Sequence, residues 1–438
     1  MVSRGRPRTT AVAVLLGAAL LGGVEAFGRL RHRGASRFAA GDDGIIRMKL
    51  RRVPRSAPSS AGSAMLQLSA TTGAAAAAGT EAGADERSAA APPFFDIFGQ
   101  ISIGTPKQTF DVALDTGSGN LLITARRCIS MGCLRHSAFD SEQSSTFKPA
   151  KLVEGNDTEP DFVKISVSTG TGEGYLGIDN VCLRDDICAR TGFVELTKMT
   201  RQPFVDVPYD GILGIGLLEG SLDTRFNFLG NLAEAGLMKR NRFAVWLRTE
   251  EDKEDSEITF GALDPDRVAS EILWLPATRN ASGMWQTTLL DFASDNKRLG
   301  LCGAAGCQAA FDTGTAAIAA PSHIVKGLLN YVDVKEDCSN YDTLPIVGFE
   351  FRMFILNIEK QDYVKREGDR CFHQFLKLDM KPPRESVVLL GDPFMKRYAT
   401  IFDRDSLKIG VAFANHAKVQ GSTETVESKA RRMMFLTS

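Results

Sequence analysis

The sequence predicts an all-β protein built as two lobes, and three observations carry that expectation. The 438 residues are too many for one hydrophobic core and suit two. The body of the chain breaks into short β-like runs separated by Gly, Pro and Asp, with few helix signals. One pattern also occurs twice: Val112-Ala113-Leu114-Asp115-Thr116-Gly117-Ser118 and, 197 residues on, Ala309-Ala310-Phe311-Asp312-Thr313-Gly314-Thr315. Two carboxylates in matching hydroxyl-rich turns can meet across a pseudo-dyad and share one proton. Like charges about 3 Å apart cannot both ionise easily, so one pKa rises and the other falls. The ionised member can then take a proton from water while the protonated member polarises a carbonyl oxygen. That is chemistry for hydrolysing a peptide bond without a metal or a covalent intermediate.

The elements follow in order. Gln100–Ile103 and Phe110–Leu114 alternate as strands feeding the first Asp loop. Thr224–Gly236 is the clearest helix of the first half, followed by the apolar run Phe243–Leu247, and Pro321–Asn330 reads as a short helix after the second Asp loop. The acidic run 250–257 reads as a solvated hairpin tip. Each half also holds an apolar-apolar-Gly segment expected to lie across the base of its Asp loop. Ile212-Leu213-Gly214 ends 99 residues after Asp115, and Leu389-Leu390-Gly391 ends 79 residues after Asp312. The chain is thus a diverged internal duplication.

On these motifs the chain resembles the pepsin-like (family A1) aspartic proteases. The resemblance runs over residues 94–415, from Phe98-Gly99-Gln100-Ile101-Ser102-Ile103-Gly104-Thr105-Pro106 to Tyr398-Ala399-Thr400-Ile401-Phe402-Asp403-Arg404. It implies a bilobal, all-β fold with a deep cleft, a lobe at 94–275 carrying the first Asp loop and flap, a lobe at 276–415 carrying the second, and a C-terminal tail at 416–438. It implies that Asp115 and Asp312 hold the nucleophilic water as a coupled pair. Thr116 and Thr313 should exchange bonds between lobes, Gly117 and Gly314 should let backbone approach the carboxylates, and Ser118 and Thr315 should donate to their outer oxygens. Gly119 departs from the Ser or Thr common in the family. The resemblance also pairs Cys128–Cys133, Cys302–Cys307 and Cys338–Cys371, leaving Cys182–Cys188 as an additional hairpin bridge. Zinc is the competing use of cysteine, but the eight cysteines form no two-by-two tetrahedral set and histidines number only five.

The flap departs furthest from the family. Registering Gly174 and Gly177 on its pattern places Val167 where a Tyr is expected, with Ser168, Thr169 and Gly170 completing the tip over the substrate. The Trp that would bond this Tyr is replaced by Leu122. Both members of the pair are missing together, and Tyr175 reaches the cleft only through a shifted register.

The net charge of −1 hides a split: residues 1–92 carry +7 and the remainder −8. A basic leader beside an acidic body reads as an intramolecular partner, not a nucleic-acid arm. Arg4, Arg6 and Arg8 precede the 14-residue apolar run Ala11–Val24, shorter than the roughly 20 residues that span a bilayer. With the small-x-small site Val24-Glu25-Ala26, residues 1–26 read as a cleaved signal peptide, an uncleaved anchor being the alternative. All eight cysteines follow it, as suits an oxidising compartment. Residues 27–93 combine the apolar-basic stretch Ile45–Arg52 with an Ala/Gly/Ser-rich linker from Ser56 to Ala91, read as a prosegment and disordered spacer. By family resemblance Lys49 is the candidate to occupy the Asp pair, and Arg87-Ser88 is one candidate activation bond. Asn156 and Asn280 head glycosylation sequons.

The expected function is a monomeric aspartic endopeptidase of the secretory pathway, of the protozoan secretory type, made as a zymogen. It needs no cofactor or metal, binds no nucleic acid, has no membrane span when mature, and takes a peptide or protein substrate and its own prosegment as partners. The alternative is a catalytically silent peptide-binding homologue that keeps the cleft. No Gly-x-Ser-x-Gly or His-Glu-x-x-His motif competes, and two Asp loops in one chain make a retroviral-type dimer unnecessary.

Overall fold

A computed structural model describes residues 45–55, 66–67, 94–153, 159–167, 170–279, 282–416 and 434–435. The signal segment, Arg87-Ser88, both sequon asparagines, Ser168 and Thr169 lie outside the described residues.

The first half begins with β1 (Ile46–Arg55), β2 (Leu66–Gln67), β3 (Phe94–Ile103), β4 (Gln108–Asp115) and β5 (Leu121–Thr124). After β6 (Lys148–Pro149) come the flap strands β7 (Phe162–Val167) and β8 (Gly170–Arg184), then β9 (Ile187–Met199), β10 (Gly211–Gly214), helix α1 (Phe228–Glu234), β11 (Arg242–Trp246) and β12 (Ser256–Phe260). The second half holds β13 (Leu273–Pro276), β14 (Gln286–Leu289), β15 (Asp291–Ser294), β16 (Lys297–Arg298), β17 (Cys307–Phe311), β18 (Ile318–Ala320), α2 (Ser322–Leu329), β19 (Val347–Glu350) and β20 (Phe354–Ile358). It continues through α3 (Lys360–Tyr363), β21 (Val364–Glu367), β22 (Arg370–His373), β23 (Phe375–Lys377), β24 (Val387–Leu390), α4 (Asp392–Arg397), β25 (Tyr398–Asp403), β26 (Lys408–Phe413) and β27 (Met434–Phe435).

The duplication read from the motifs is visible as a repeated sheet. In the first half β4 runs antiparallel to β3 and parallel to β10, β10 antiparallel to β5, and β5 parallel to β9. In the second, β17 runs antiparallel to β14 and parallel to β24, β24 antiparallel to β18, and β18 parallel to β23. The order β3-β4-β10-β5-β9 therefore returns as β14-β17-β24-β18-β23. Period-two burial explains the strands: Ile101, Ile103, Phe110, Val112 and Leu114 point into the core, while Gln100 is exposed and Ser102, Asp111 and Ala113 are half-buried. Trp285 is fully buried at the junction of the halves. It packs edge-on against Phe243 and Phe402 and donates its indole N–H to the Ile215 carbonyl at 3.2 Å.

The helices are short and capped as their sequences direct. The expected helix over Thr224–Gly236 is interrupted: a 3-10 turn at Thr224–Phe226, capped by Asp223, gives way at extended Asn227, whose side chain accepts the Gly230 N–H and starts α1. Gly236, at φ 67°, follows its last turn. α2 matches its predicted span to within a residue at each end and buries Ile324, Val325 and Leu328.

Other readings change. In the acidic run 250–257, Asp252 is buried. Its Oδ2 accepts from the Thr249 N–H at 2.7 Å and hydroxyl at 2.8 Å and lies 2.7 Å from the His416 ring. Lys49 does not lie at the Asp pair. It is exposed on β1 opposite Glu257, because strand alternation sends Met48 and Leu50 inward and Lys49 outward. Within the C-terminal tail, Met434 and Phe435 pair antiparallel with Ile355 and Phe354 at the edge of β20. The disulfides join Cys128–Cys133, Cys182–Cys188, Cys302–Cys307 and Cys338–Cys371. No helix among the described residues is long and apolar enough to cross a membrane.

Candidate active site

The two Asp loops begin at equivalent strand ends. β4 ends at Asp115 opposite Gly214 of β10, and β17 ends at Phe311 opposite Leu390 of β24, one residue before Asp312. Each apolar-apolar-Gly segment crosses its loop at backbone distance. The Gly214 N–H donates to the Asn120 carbonyl at 2.9 Å and the Ile215 N–H to the Asp115 carbonyl at 2.8 Å. On the other side Gly391 donates to the Ala317 carbonyl at 3.2 Å and Asp392 to the Thr315 carbonyl at 2.9 Å. A Cβ at 391 would sit 2.0 Å from the Thr315 oxygen, so only glycine permits this approach.

Within each loop the carboxylate is held the same way. Gly117 N–H donates to Asp115 Oδ1 at 2.8 Å, and Ser118 Oγ to Asp115 Oδ2 at 2.7 Å. Gly314 N–H donates to Asp312 Oδ1 at 2.9 Å, and Thr315 Oγ1 to Asp312 Oδ2 at 2.5 Å. The threonines lock the two halves together. Thr116 Oγ1 donates to the Phe311 carbonyl at 2.8 Å and accepts the Thr313 N–H at 3.0 Å. Thr313 Oγ1 donates to the Leu114 carbonyl at 2.5 Å and accepts the Thr116 N–H at 3.2 Å. Gly117 faces both acids: a Cβ there would lie 3.1 Å from Asp115 Oδ1 and 3.5 Å from Asp312 Oδ1.

Both carboxyl groups are buried, at 4% and 3% exposure. Burial first, and then the neighbouring Asp115 charge, push Asp312 up to about 7, against the Thr315 and Gly314 hydrogen bonds. Burial also raises Asp115, opposed by the bonds from Ser118 and Gly117. The pair therefore retains a proton well above the ordinary carboxylate range, the condition for one acid and one base in a single site. Among the described residues no group of three His, Cys, Asp or Glu gathers as metal ligands.

The flap hairpin closes with Val167 opposite Gly170 and Ser166 opposite Thr171. Tyr175 is far down this ladder, opposite Phe162, with its ring 5.0 Å from Phe162 and the Arg127 guanidinium 4.7 Å above it. No shifted register brings it to the tip. Leu122 is buried beside a small apolar cavity, also lined by Leu196, Met199, Phe204, Tyr209 and Ile212, and has no polar group to offer the flap.

Sequence reasoning missed two supports. The first is Thr200: its Oγ1 accepts the Thr171 N–H at 3.1 Å and donates to the Gln202 carbonyl at 2.8 Å, while its N–H bonds the Thr171 carbonyl at 3.0 Å. A Cβ on Gly170 would fall 2.6 Å from the Gln202 oxygen, so the base of the tip rests on the 200–203 loop. The second is Ser221, whose Oγ lies 2.4 Å from where a Gly119 Cβ would stand and donates to the Gly119 carbonyl at 2.9 Å. The Ser221 hydroxyl and the main chain of Gly220 and Ser221, 2.8 Å from the same point, thus fill the space that a side chain at 119 would need. The signal for it was Gly119 itself.

The comparisons agree with this geometry. The family model described as eukaryotic aspartyl protease matches residues 96–414. Plasmepsin VI of Plasmodium berghei (strain Anka) is 30% identical over 339 residues, 73% of this chain and 75% of that protein. Cathepsin E-A of Xenopus laevis is 32% identical over 326 residues, 72% and 79% of the two chains. Pepsin A of Sus scrofa is 30% identical over 328 residues, 72% and 81%. With paired Asp-Thr-Gly loops, crossed threonines and a family match over most of its length, the chain belongs to the eukaryotic aspartyl protease family, the pepsin-like aspartic endopeptidases.

Proposed function

We propose that this chain is a catalytically competent endopeptidase, made as a precursor in the secretory pathway and cutting extended segments of proteins that pass through the same compartments. The observation that carries the reading is the symmetric set of bonds holding Asp115 and Asp312, buried together with a raised affinity for one shared proton. The signal-like residues 1–26 and the four disulfides support the compartment.

In the proposed reaction the ionised carboxylate takes a proton from water as its oxygen attacks the scissile carbonyl carbon. The protonated carboxyl donates to the carbonyl oxygen, and a neutral gem-diol forms. A proton then passes to the amide nitrogen, the C–N bond breaks, and acid and amine products leave with the pair again holding one proton. The main-chain bonds at Gly117 and Gly314 and the hydroxyls of Ser118 and Thr315 keep both carboxyl groups oriented throughout. Val167, Ser168, Thr169 and Gly170 are proposed to cover the substrate.

The silent-homologue reading draws on Leu122, which leaves the flap without its bonded Trp partner. One experiment separates the two: cleavage of a diverse peptide pool from pH 3 to 7 by the processed protein, beside Asp115→Ala and Asp312→Ala. Cleavage present in the parent and lost in both variants is expected. Absence of cleavage from folded, disulfide-bonded parent protein would favour the silent reading.

A further inference from the structure

The turn that follows β5 puts apolar side chains into water. Ile129, Met131 and Leu134 are 86%, 55% and 63% exposed. Among the described residues nine large apolar side chains are exposed, and these three fall within six positions of one another. Single exposed apolar residues are ordinary, whereas a group of them marks a contact surface. The backbone that carries them is fixed. The Cys128–Cys133 bridge closes the turn, and Ser130 Oγ accepts the Met199 N–H at 2.9 Å. A Cβ on Gly132 would meet the Thr200 carbonyl oxygen at 2.3 Å. The inner side of the turn is thus packed on the end of β9, and the three apolar groups project from its outer side. The same surface continues across the flap sheet. Strand alternation puts Phe162 and Lys164 of β7 beside Tyr175 and Glu173 of β8 on one face. Arg127, from the turn, lies over the Tyr175 ring and donates to Glu195 of β9 at 3.2 Å, which joins exposed Phe162 to the turn.

Where this face meets solvent it is basic. Between Thr116 and Phe139 the chain has three arginines and no acid, although the residues after 92 carry −8 in all. Arg126 pairs with Asp140, Arg127 with Glu195, and Lys164 and Lys198 share Glu173. All four cationic side chains are more than half exposed, whereas each of the three acids is 20% exposed or less. The acids lie beneath and the cations present their charge outward. Arg135 and Arg201 add two exposed cations, against the exposed acid Asp206, which accepts from Gln202 Nε2 at 2.8 Å.

We propose that this face docks peripherally on a bilayer containing anionic lipids, with Ile129, Met131 and Leu134 entering the headgroup region and the surrounding cations meeting lipid phosphates. A bilayer fits on both counts. Acyl chains accept projecting apolar groups without a matching pocket, and anionic headgroups attract the ring of cations. A nucleic acid would use the cations and leave the apolar tips in water. A second copy of the chain meeting the same face would set like charges against each other. Docking of this kind needs neither a spanning segment nor the Asp pair, so it stands apart from the catalytic reading.

The test is co-sedimentation with vesicles of phosphatidylcholine alone or of an equal mixture with phosphatidylserine. The protein is recovered from the medium of secreting eukaryotic cells, with loss of residues 1–26 checked by mass spectrometry so that their apolar run contributes nothing. The parent should bind the mixed vesicles about tenfold or more tightly than the neutral ones, and rising salt should weaken that preference. Ile129→Glu with Met131→Glu should lower binding to the mixed vesicles by a similar factor at an unchanged Tm. Arg126→Ser with Arg135→Ser should remove the preference for anionic lipid and keep the fold. Equal or absent binding of the parent to the two vesicle types would overturn the proposal, as would a paired Glu variant that binds as tightly as the parent. If the face instead serves a second copy, gel filtration without vesicles would show a dimer that the same Glu pair disperses, and the lipid assignment would fall.

Discussion

Replacing Asp312 with Asn should change how stability depends on pH in a calculable way. Moving Asp312 from the ordinary 3.8 to about 7 means that the folded protein holds a proton that the unfolded chain releases. A raised carboxylate therefore contributes stability that is fully present below about pH 4, declines above it, and is gone above about pH 7. At 1.36 kcal/mol per pH unit the full swing is about 4 kcal/mol, an upper figure because the ionised pair can relax. Asp312→Asn removes the titration while keeping an oxygen to accept from Thr315 or Gly314. Relative to the parent, the variant should gain stability steadily from pH 4 to 7, by up to about 5 °C in Tm for a body of this size. Differential scanning fluorimetry at half-unit pH steps reads this, with gels taken after each scan to exclude self-digestion of the parent. Every other titrating group is common to both proteins, so the difference isolates the pair. Parallel Tm curves across pH 4 to 8 would refute the claim that Asp312 is buried with a shared proton.

Three other perturbations follow from the same contacts. Thr200→Val removes the acceptor for the Thr171 N–H and should raise KM several-fold with a Tm change under about 2 °C, read by steady-state kinetics on one peptide. Gly119→Ser places a side chain against Ser221 Oγ and should destabilise by about 1–3 kcal/mol. Ser221→Ala in the same chain should recover only a small part of that in chemical denaturation, because the Gly220 carbonyl carbon and Ser221 nitrogen also lie 2.8 Å from the added Cβ. Thr116→Val leaves the Phe311 carbonyl and Thr313 N–H without their partner; about 1–3 kcal/mol of stability and at least a tenfold fall in kcat are expected, with KM moving less.

The Asp loops were legible because their information is local: an apolar strand, an acid, a hydroxyl residue and glycine, written twice with a glycine segment at matching distance. The strands around them followed from alternation, and α2 from its apolar spacing. What could not be read depends on distant partners. Nothing within 250–257 tells that Asp252 turns inward, because its partners are Thr249 and the distant His416. Lys49 read as a leader residue because β12, which fixes its register, lies about two hundred positions away. Thr200 is an ordinary threonine until the flap is folded onto it. Helix α1 starts late because the Asn227 side chain competes for the backbone, which composition counts as neutral.

The repeated sheet order has a consequence for substrate direction. A peptide has distinct ends, yet a site made from two equivalent units presents almost the same face to either orientation. Between β5 and β9 the first unit inserts β6 and the hairpin β7–β8, whereas between β18 and β23 the second inserts α2, α3 and β19–β22. The polarity with which a chain is threaded must therefore be read by these insertions, not by the Asp loops. Changes confined to the insertions can alter which sequences are cut while the chemistry at Asp115 and Asp312 stays the same, and the two properties are free to evolve separately.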